Sequence, residues 1–187
     1  MDDVLQRFLG DIDDLGPAPA REPLAAAVHT LAMDLDYWRH HIERSGVSTF
    51  ALHRPDQGVQ VFVVRRIDGT MSYIHSHSVW VALSAIEGVE THRRFAVQRI
   101  DDHRATVALA EEQLLRGGHG DVVTLVPPND VHSHGHVRGS GDWPFTLIVL
   151  GDNFLRYQRD EFDFVASRRR ILPPGETGTA NLEEPAG

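Results

Sequence analysis

The sequence predicts a mainly β protein, an antiparallel sandwich or barrel with packing helices at its N-terminal end. Two observations predict this fold class. Residues 1–46 place apolar side chains at helical spacing, whereas residues 48–164 form short β-rich segments separated by Gly, Asp and Asn. Strands spaced roughly 8–12 residues apart, with no helices between them, are typical of antiparallel sandwiches and barrels.

The helical region contains two apolar stripes, separated by a Gly- and Pro-rich break at residues 16–19. The first stripe consists of Val4, Leu5, Phe8, Leu9 and Ile12. The second consists of Leu24, Val28, Leu31, Leu35 and Trp38. We expect the second stripe to form one helix that ends near Gly46. Both stripes favour helices that pack on the barrel rather than helices that carry chemistry.

Six β-rich segments follow, at residues 59–66, 79–86, 91–100, 105–110, 121–126 and 145–150. The tail from residue 171 to 187 is rich in Pro, Gly, Glu and Thr. Because such residues bury little apolar surface, we expect this tail to be disordered. The predicted organisation is a helical segment at 1–46, a barrel at 47–170 and the tail at 171–187.

The composition excludes several classes of partner. The 187 residues include 18 Lys and Arg against 27 Asp and Glu, a net charge of −9, and no cysteine. We therefore expect no nucleic-acid or membrane partner, no disulfide and no thiolate metal site. No apolar run approaches ~20 residues and the N-terminus is acidic, so we expect a cytoplasmic protein. We further expect a monomer or small homo-oligomer that binds a small-molecule substrate.

The sequence contains an unusually high number of histidines, 12 in all. Two of them, His75 and His77, flank Ser76. Side chains at positions i and i+2 share one face of a strand, so His75 and His77 can point together into a barrel interior. Imidazole is a good ligand for Fe, Zn, Cu and Ni, so the pair predicts half of a metal site. A solvated polar face is the alternative.

The order of residues around these histidines resembles the two sequence motifs of the cupin superfamily. The first motif is matched, in order, by Gly69, His75, His77, Val81 and Gly88, and the second by residues 120–132. The resemblance implies a cupin double-stranded β-helix (a jelly-roll barrel) with a metal held by His75, His77 and His132. His134 and His136 alternate with His132, so either is a fourth ligand, a hydrogen-bond donor to the ligands, or part of a polar barrel rim.

Val81 stands where most cupins carry a ligand glutamate. Three neutral imidazoles leave a divalent ion its full charge, with open positions for water, O₂ or an anionic substrate. Imidazoles discriminate weakly between metals, so other divalent ions remain alternatives to Fe(II).

Residues 74–80 and 86–90 resemble more closely the bacterial branch of the cysteine dioxygenase-type thiol dioxygenases, which includes 3-mercaptopropionate dioxygenase-like enzymes. Residues 120–122 and 151–154 fit the same pattern. The resemblance implies an Fe(II) centre, O₂ as co-substrate and the conversion of a small thiol to a sulfinate. The Ser-x-His-x-Tyr triad of that family reads Thr146, Ile148 and Leu150 here, and its Cys–Tyr cross-link is impossible without cysteine.

The same family holds its substrate carboxylate with an arginine. Arg159 lies at the spacing of the bacterial anchor, whereas Leu52 occupies the position of the mammalian-type anchor. A planar guanidinium binds a carboxylate bidentately. Alternatively, Arg159 and nearby Arg156 are surface charges, and one of Arg65 and Arg66 faces the interior.

Trp80 is assigned to the active site as a wall of the substrate cavity, with the hydrophobic core as its alternative location. The leading hypothesis is an Fe(II) dioxygenase that inserts O₂ into a small polar metabolite, with the three histidines as ligands and Arg159 as the anchor. The missing triad leaves open a three-histidine oxygenase or other metalloenzyme that acts on a C–C or C–N bond. A non-catalytic cupin that binds metal for structure or sensing is a third possibility.

Overall fold

The computed structural model describes residues 3–45, 49–65, 69–136, 144–176 and 182–183. The described helices are α1 (Asp3–Leu15), α2 (Arg21–Ala32) and α3 (Leu35–Ser45). The strands are β1 (Thr49–His53), β2 (Gln60–Arg65), β3 (Thr70–Met71), β4 (Ile74–His75), β5 (Val81–Glu87), β6 (Val89–Arg99), β7 (Ala105–Arg116), β8 (Val123–Leu125), β9 (His132–Gly135), β10 (Phe145–Leu150), β11 (Arg159–Asp163), β12 (Arg168–Leu172) and β13 (Leu182–Glu183). A 3₁₀ turn at Phe154–Arg156 precedes β11.

The strands form two antiparallel sheets. The first sheet has the order β1-β2-β10-β5-β8. In the second sheet, β9 pairs with β4 and β3 on one side and with β6 on the other, and β6 pairs in turn with β7. Strands β11 and β12 extend the second sheet beyond β4. From β2 to β10 the chain therefore alternates between the sheets, which is the double-stranded β-helix, or jelly roll, expected from the sequence.

Strand β5 shows how the first sheet separates two cores. Val81, Leu83 and Ala85 pack with Leu125 and Leu150 in the barrel interior. The alternate residues of β5, Ala82 and Ile86, pack on the opposite face of the sheet against the helices. Because both faces are covered, this strand is buried from Val81 to Ile86, and Ser84 is the one polar residue in that stretch.

The N-terminal helices cover the outer face of the first sheet, as the apolar stripes predict. Residues from α1 and α2 share one hydrophobic core with residues from β2 and β10: Leu5, Phe8, Ile12, Leu24, Val28, Leu31, Val61, Val63, Leu147 and Val149. The second stripe is not one helix, as we expected, but two. The helix is interrupted at Asp34, whose Oδ1 accepts a hydrogen bond from the Tyr37 N–H at 3.1 Å and so caps the start of α3. None of the described helices has the length and apolarity needed to cross a membrane.

The C-terminal part of the chain contains more β structure than the sequence pattern indicated. Strand β12 includes Leu172, which is fully buried, and β13 pairs with β3. Residues 177–181 and 184–187 of the predicted disordered tail lie outside the described residues.

Candidate metal centre

Three imidazoles converge inside the barrel. His75 ends β4 and lies directly opposite His132, the first residue of β9, in the β4–β9 register. His77 follows two residues after His75. Its Nε2 is 2.9 Å from Nε2 of His75 and 3.0 Å from Nε2 of His132. All three side chains are buried, so the structure brings together the three predicted metal ligands.

This arrangement fits a divalent ion held by three nitrogens. Two nitrogens that each lie ~2.1 Å from one ion, at an angle of ~90°, are ~3.0 Å apart, which matches the two distances from Nε2 of His77. Burial lowers the pKa of His77 and of His132 well below the ordinary value, and the neighbouring His75 charge lowers both further. These two imidazoles therefore stay neutral at neutral pH and keep the lone pairs that a metal requires.

Two of the three rings are oriented through their second nitrogen. Nδ1 of His75 lies 2.9 Å from the Tyr73 carbonyl oxygen, and Nδ1 of His132 lies 2.9 Å from Nε2 of His92. An Nδ1–H that donates to such a partner leaves Nε2 as the acceptor, which is the tautomer that binds metal through Nε2. Nδ1 of His77 has no hydrogen-bond partner among the described residues.

His77 is positioned by a turn, not by a strand as we expected, since β4 ends at His75. Oδ2 of buried Asp130 accepts hydrogen bonds from the backbone N–H groups of His77 at 2.9 Å and Ser78 at 3.1 Å. Ser78 has a φ of 60° and its hydroxyl donates to the Gln158 carbonyl at 2.6 Å. These contacts turn the chain so that His77 faces His75.

Replacing Asp130 by alanine is expected to weaken divalent-metal binding about 10–100-fold, the usual cost of losing a group that orients a ligand. Isothermal titration of the metal-free variant with Co(II) measures this affinity. Asp101→Ala is the matched control, because exposed Asp101 also accepts two backbone N–H groups, from His103 and Arg104, but does so in the β6–β7 turn. Equal losses in both variants would contradict the role of Asp130.

The burial of the histidines also predicts how the metal-free protein responds to acid. Burial lowers the pKa of His92 to about 3, and the His134 charge adds to this effect. In the unfolded chain a histidine has a pKa of ~6.5, so on acidification the unfolded state takes up protons first. The stabilising contribution is therefore complete above pH ~6.5 and decreases as the pH falls, by about 1.4 kcal/mol per pH unit for each such group.

We expect the thermal unfolding midpoint of the metal-free protein, followed by circular dichroism, to fall continuously as the pH decreases below ~6.5. A His92→Gln variant should show a shallower decrease, because it removes one of the groups that titrate differently in the two states. A midpoint that is constant between pH ~6.5 and ~4 would contradict the buried, neutral state of these imidazoles.

The interior wall formed by β5 and β10 is apolar where the thiol dioxygenases that the sequence resembles carry a polar triad. Val81, Ile148 and Leu150 all belong to the interior core, so β5 supplies no carboxylate ligand and β10 supplies no imidazole or phenol at the last two positions. Thr146, the remaining position, donates its hydroxyl hydrogen to the carboxylate of Glu90. The chain thus keeps one hydroxyl of the triad pattern and directs it to a buried acid.

The structure also locates His134, which lies on β9, and His136, the residue that follows β9. Nδ1 of His134 is 2.8 Å from Oε1 of Glu90, so His134 forms a hydrogen-bonded pair outside the three-histidine group. His136 is buried directly after β9 and is likewise outside that group. Of the open alternatives for His134, the arrangement favours a hydrogen-bonding role over a fourth ligand. Glu90 and His92 were not predicted as site residues: Glu90 ends the matched segment 86–90 but was given no role, and His92 lies outside the matched segments.

Arg159 is buried on β11 and is only 1% exposed, so the alternative of a surface charge does not apply to it. Nη2 donates to the Glu176 carbonyl, whereas Nε and Nη1 have no hydrogen-bond partner among the described residues. The guanidinium lies 4.7 Å from the ring centre of Phe154, and that ring lies 5.6 Å from the ring of His77. Phe154 therefore links the arginine to the histidine cluster. Arg156, by contrast, is exposed and pairs with Asp152.

Trp80 is not brought to the histidines. Its side chain packs in the helix-facing core, on the opposite face of the first sheet from Val79 and Val81. Gly151 lies against the indole so closely that a β-carbon there would clash with it. The structure thus places Trp80 in its alternative location, the hydrophobic core. Arg65 is exposed, and Arg66 lies outside the described residues.

No known protein-family model and no curated protein matches the chain. Among solved structures, a cupin-like protein from Thermotoga maritima is 24% identical, with 55% of this chain and 65% of that chain covered and a TM-score of 0.39. An RmlC-like cupin family protein with a double-stranded β-helix fold, from Methanocaldococcus jannaschii, is 16% identical, with 59% and 86% covered and a TM-score of 0.40. The DMSP lyase DddQ from Ruegeria pomeroyi is 17% identical, with 59% and 49% covered and a TM-score of 0.38. The chain thus spans just under two thirds of the Thermotoga protein and about half of the lyase. Its structural neighbours include cupin-family proteins, and at these TM-scores the likeness says nothing of the site.

Proposed function

We propose that this protein is an Fe(II)-dependent dioxygenase of the three-histidine type that oxidises a small thiol bearing a carboxylate to the sulfinate. The observation that carries the proposal is the position of a buried guanidinium, two of whose nitrogens have no hydrogen-bond partner among the described residues, beside a cluster of three converging imidazoles. The imidazoles supply the ligands of a metal, and the guanidinium supplies a complement to a negatively charged substrate.

An iron(II) ion held by His75, His77 and His132 would supply a centre at which the thiol and O₂ meet. The overall change is balanced without a further reductant, because both atoms of O₂ are transferred to the sulfur of the thiol. The contribution of the chain itself is to bind the substrate, to orient it and to exclude water.

Substrate orientation is assigned to Arg159. Its Nε and Nη1 have no hydrogen-bond partner among the described residues, so they are available as donors to a carboxylate, which would offset the cost of keeping a guanidinium buried. Tyr73 lies beside it, with its ring centre 4.8 Å from that of His75. Burial raises the pKa of Tyr73, the Glu161 charge raises it further and the Arg159 charge opposes this, so the phenol stays a hydrogen-bond donor at neutral pH.

Water exclusion is assigned to the apolar interior. Ile148, Leu150 and Phe154 pack together on the barrel wall, where a polar triad would have admitted solvent. An apolar wall that excludes water strengthens the interaction between the guanidinium and a carboxylate, because charges interact more strongly at low dielectric constant.

The aliphatic residues Ile148 and Leu150 favour a second candidate function. Neither can donate a proton or a hydrogen bond, so a reaction that needs no such donor, at a C–C or C–N bond of a carboxylate substrate, fits the same metal and the same arginine. The two candidates share the site and differ in the atom that is oxidised.

The experiment is O₂ consumption by protein loaded anaerobically with Fe(II), with 3-mercaptopropionate, cysteine or cysteamine, followed by mass spectrometry of the product. Uptake of one O₂ per thiol and a product heavier by two oxygen atoms is the expected result. Iron binding with no uptake for any thiol overturns the thiol proposal and favours the second candidate. Iron binding with no uptake for any small carboxylate would indicate a metal-binding protein without oxygenase activity.

A further inference from the structure

A fully buried carboxylate connects the two sheets beside the histidine cluster. Glu90 lies on β6 in the second sheet and has no exposed surface. One of its oxygens accepts the hydroxyl hydrogen of Thr146 from β10 in the first sheet, and the other lies 2.8 Å from Nδ1 of His134 on β9. A buried carboxylate is costly unless its oxygens are hydrogen-bonded, and these contacts give each oxygen of Glu90 a partner.

The His134 imidazole, which Glu90 holds, is stacked on the ring of His132, a predicted metal ligand. The rings of His134 and His132 are stacked, with centres 5.1 Å apart and planes 9° apart. The edge of the same His132 ring is held by His92, through the 2.9 Å contact between Nδ1 and Nε2. Glu90 and His92 are alternate residues of β6 and so point to one face of that strand. Strand β6 therefore fixes the His132 ring in two ways: His92 contacts the edge of the ring, and Glu90 acts on its face through His134.

We propose that Glu90 is a positioning residue of the metal centre, which holds the His134 ring against His132 and thereby sets the orientation of this ligand. Thr146, Glu90 and His134 form a hydroxyl–carboxylate–imidazole chain built from three strands. Thr146 stands at the serine position of the triad found in thiol dioxygenases, so this chain occupies part of the wall where that triad would begin. The inference rests on the proposed metal centre but not on the identity of the substrate.

The test compares Co(II) binding by the wild type with that of Glu90→Leu, Glu90→Gln, His134→Phe and the double variant Glu90→Leu/His134→Phe. The readouts are the Co(II) dissociation constant and the visible d–d absorption spectrum, which reports ligand geometry without turnover. Glu90→Leu should weaken binding about 10–100-fold and change the spectrum. Glu90→Gln keeps an acceptor oxygen for the His134 N–H, so it should retain a spectrum close to that of the wild type.

The double variant tests whether Glu90 acts through His134. If it does, the two substitutions are non-additive, and the double variant binds Co(II) no more weakly than Glu90→Leu. The double variant also replaces a buried hydrogen-bonded ionisable pair by two apolar side chains, a change that proteins often tolerate. It therefore keeps the test decisive if a single variant does not fold.

The matched control is Glu112→Leu. Glu112 lies on β7 and pairs with Arg93, which points to the face of β6 opposite that of Glu90 and His92. Wild-type affinity and spectrum are expected for this control. A wild-type spectrum in Glu90→Leu, equal damage in Glu90→Gln, or additive losses in the double variant would each overturn the positioning role. A wild-type protein that takes up no Co(II) overturns the proposed metal centre and this inference with it.

Discussion

Replacing His132 by alanine is expected to reduce bound metal from one ion per chain to almost none. His132 is fully buried, and its Nε2 lies 3.0 Å from that of His77. The two remaining imidazoles come from one short segment and give an ion two ligands where the site is built for three. The loss follows because each ligand contributes a bond that water replaces only at a large cost in affinity.

Metal content after loading with Fe(II) or Co(II) and removal of excess ion, measured by mass spectrometry of the element, checks this result. His103→Ala is the control, since His103 is exposed in the β6–β7 turn. Thermal unfolding of both variants without metal separates loss of the site from loss of the fold. Undiminished metal in folded His132→Ala would refute the three-histidine centre.

Replacing Arg159 by methionine is expected to raise the KM for 3-mercaptopropionate about 100-fold, because hydrogen bonds to a charged group contribute about 1.5–3 kcal/mol each. The kcat should change little, since the guanidinium binds the end of the substrate that does not react. Steady-state O₂ consumption by the Fe(II)-loaded variant provides both constants. The metal-free variant should be at least as stable as the wild type, because the change removes a buried charge with two nitrogens that lack a hydrogen-bond partner among the described residues.

Two controls make this result specific. Cysteamine has a thiol but no carboxylate, so its kinetic constants should be the same in the wild type and in Arg159→Met. Arg156→Met removes an exposed arginine three residues away that pairs with Asp152, and it should leave the KM for 3-mercaptopropionate unchanged. An equal rise in KM for cysteamine and 3-mercaptopropionate would show that Arg159 shapes the cavity instead of binding a carboxylate.

The parts of the fold that bury apolar surface were predictable from the sequence. Apolar periodicity indicated the helical region and the main strands of both sheets, although not the break at Asp34. Strand β9 escaped this approach because its four residues are His-Ser-His-Gly, all of them buried. Strand β11 escaped it too, since Arg159, Asp160 and Glu161 are charged but buried. Periodicity detects a strand by its apolar face, so it fails where the interior is polar.

The residues of the candidate site were likewise predictable only in part from the sequence. The three ligands followed from the resemblance to known motifs. Glu90 and Asp130 lie within the matched segments 86–90 and 120–132 but were given no role, and His92 lies outside them. Their signal was weaker: His92 is a polar residue of the predicted strand at 91–100, and Glu90 lies two residues earlier, at the alternate position expected of a group on the same face. Trp80 was assigned to the wrong face because it precedes Val81 by one residue, and a shift of one residue exchanges the two faces of a strand.

The separation of the ligands along the chain determines when the metal can act during folding. His77 and His132 are 55 residues apart, and their imidazoles meet only after β4 and β9 have paired. Contacts of such long range form late, because the chain must first close a large loop. The ion therefore binds the native state and not the nucleus that leads to it. Metal should accordingly slow unfolding while leaving the folding rate almost unchanged, so the loaded protein owes its added stability to a longer lifetime of the folded state.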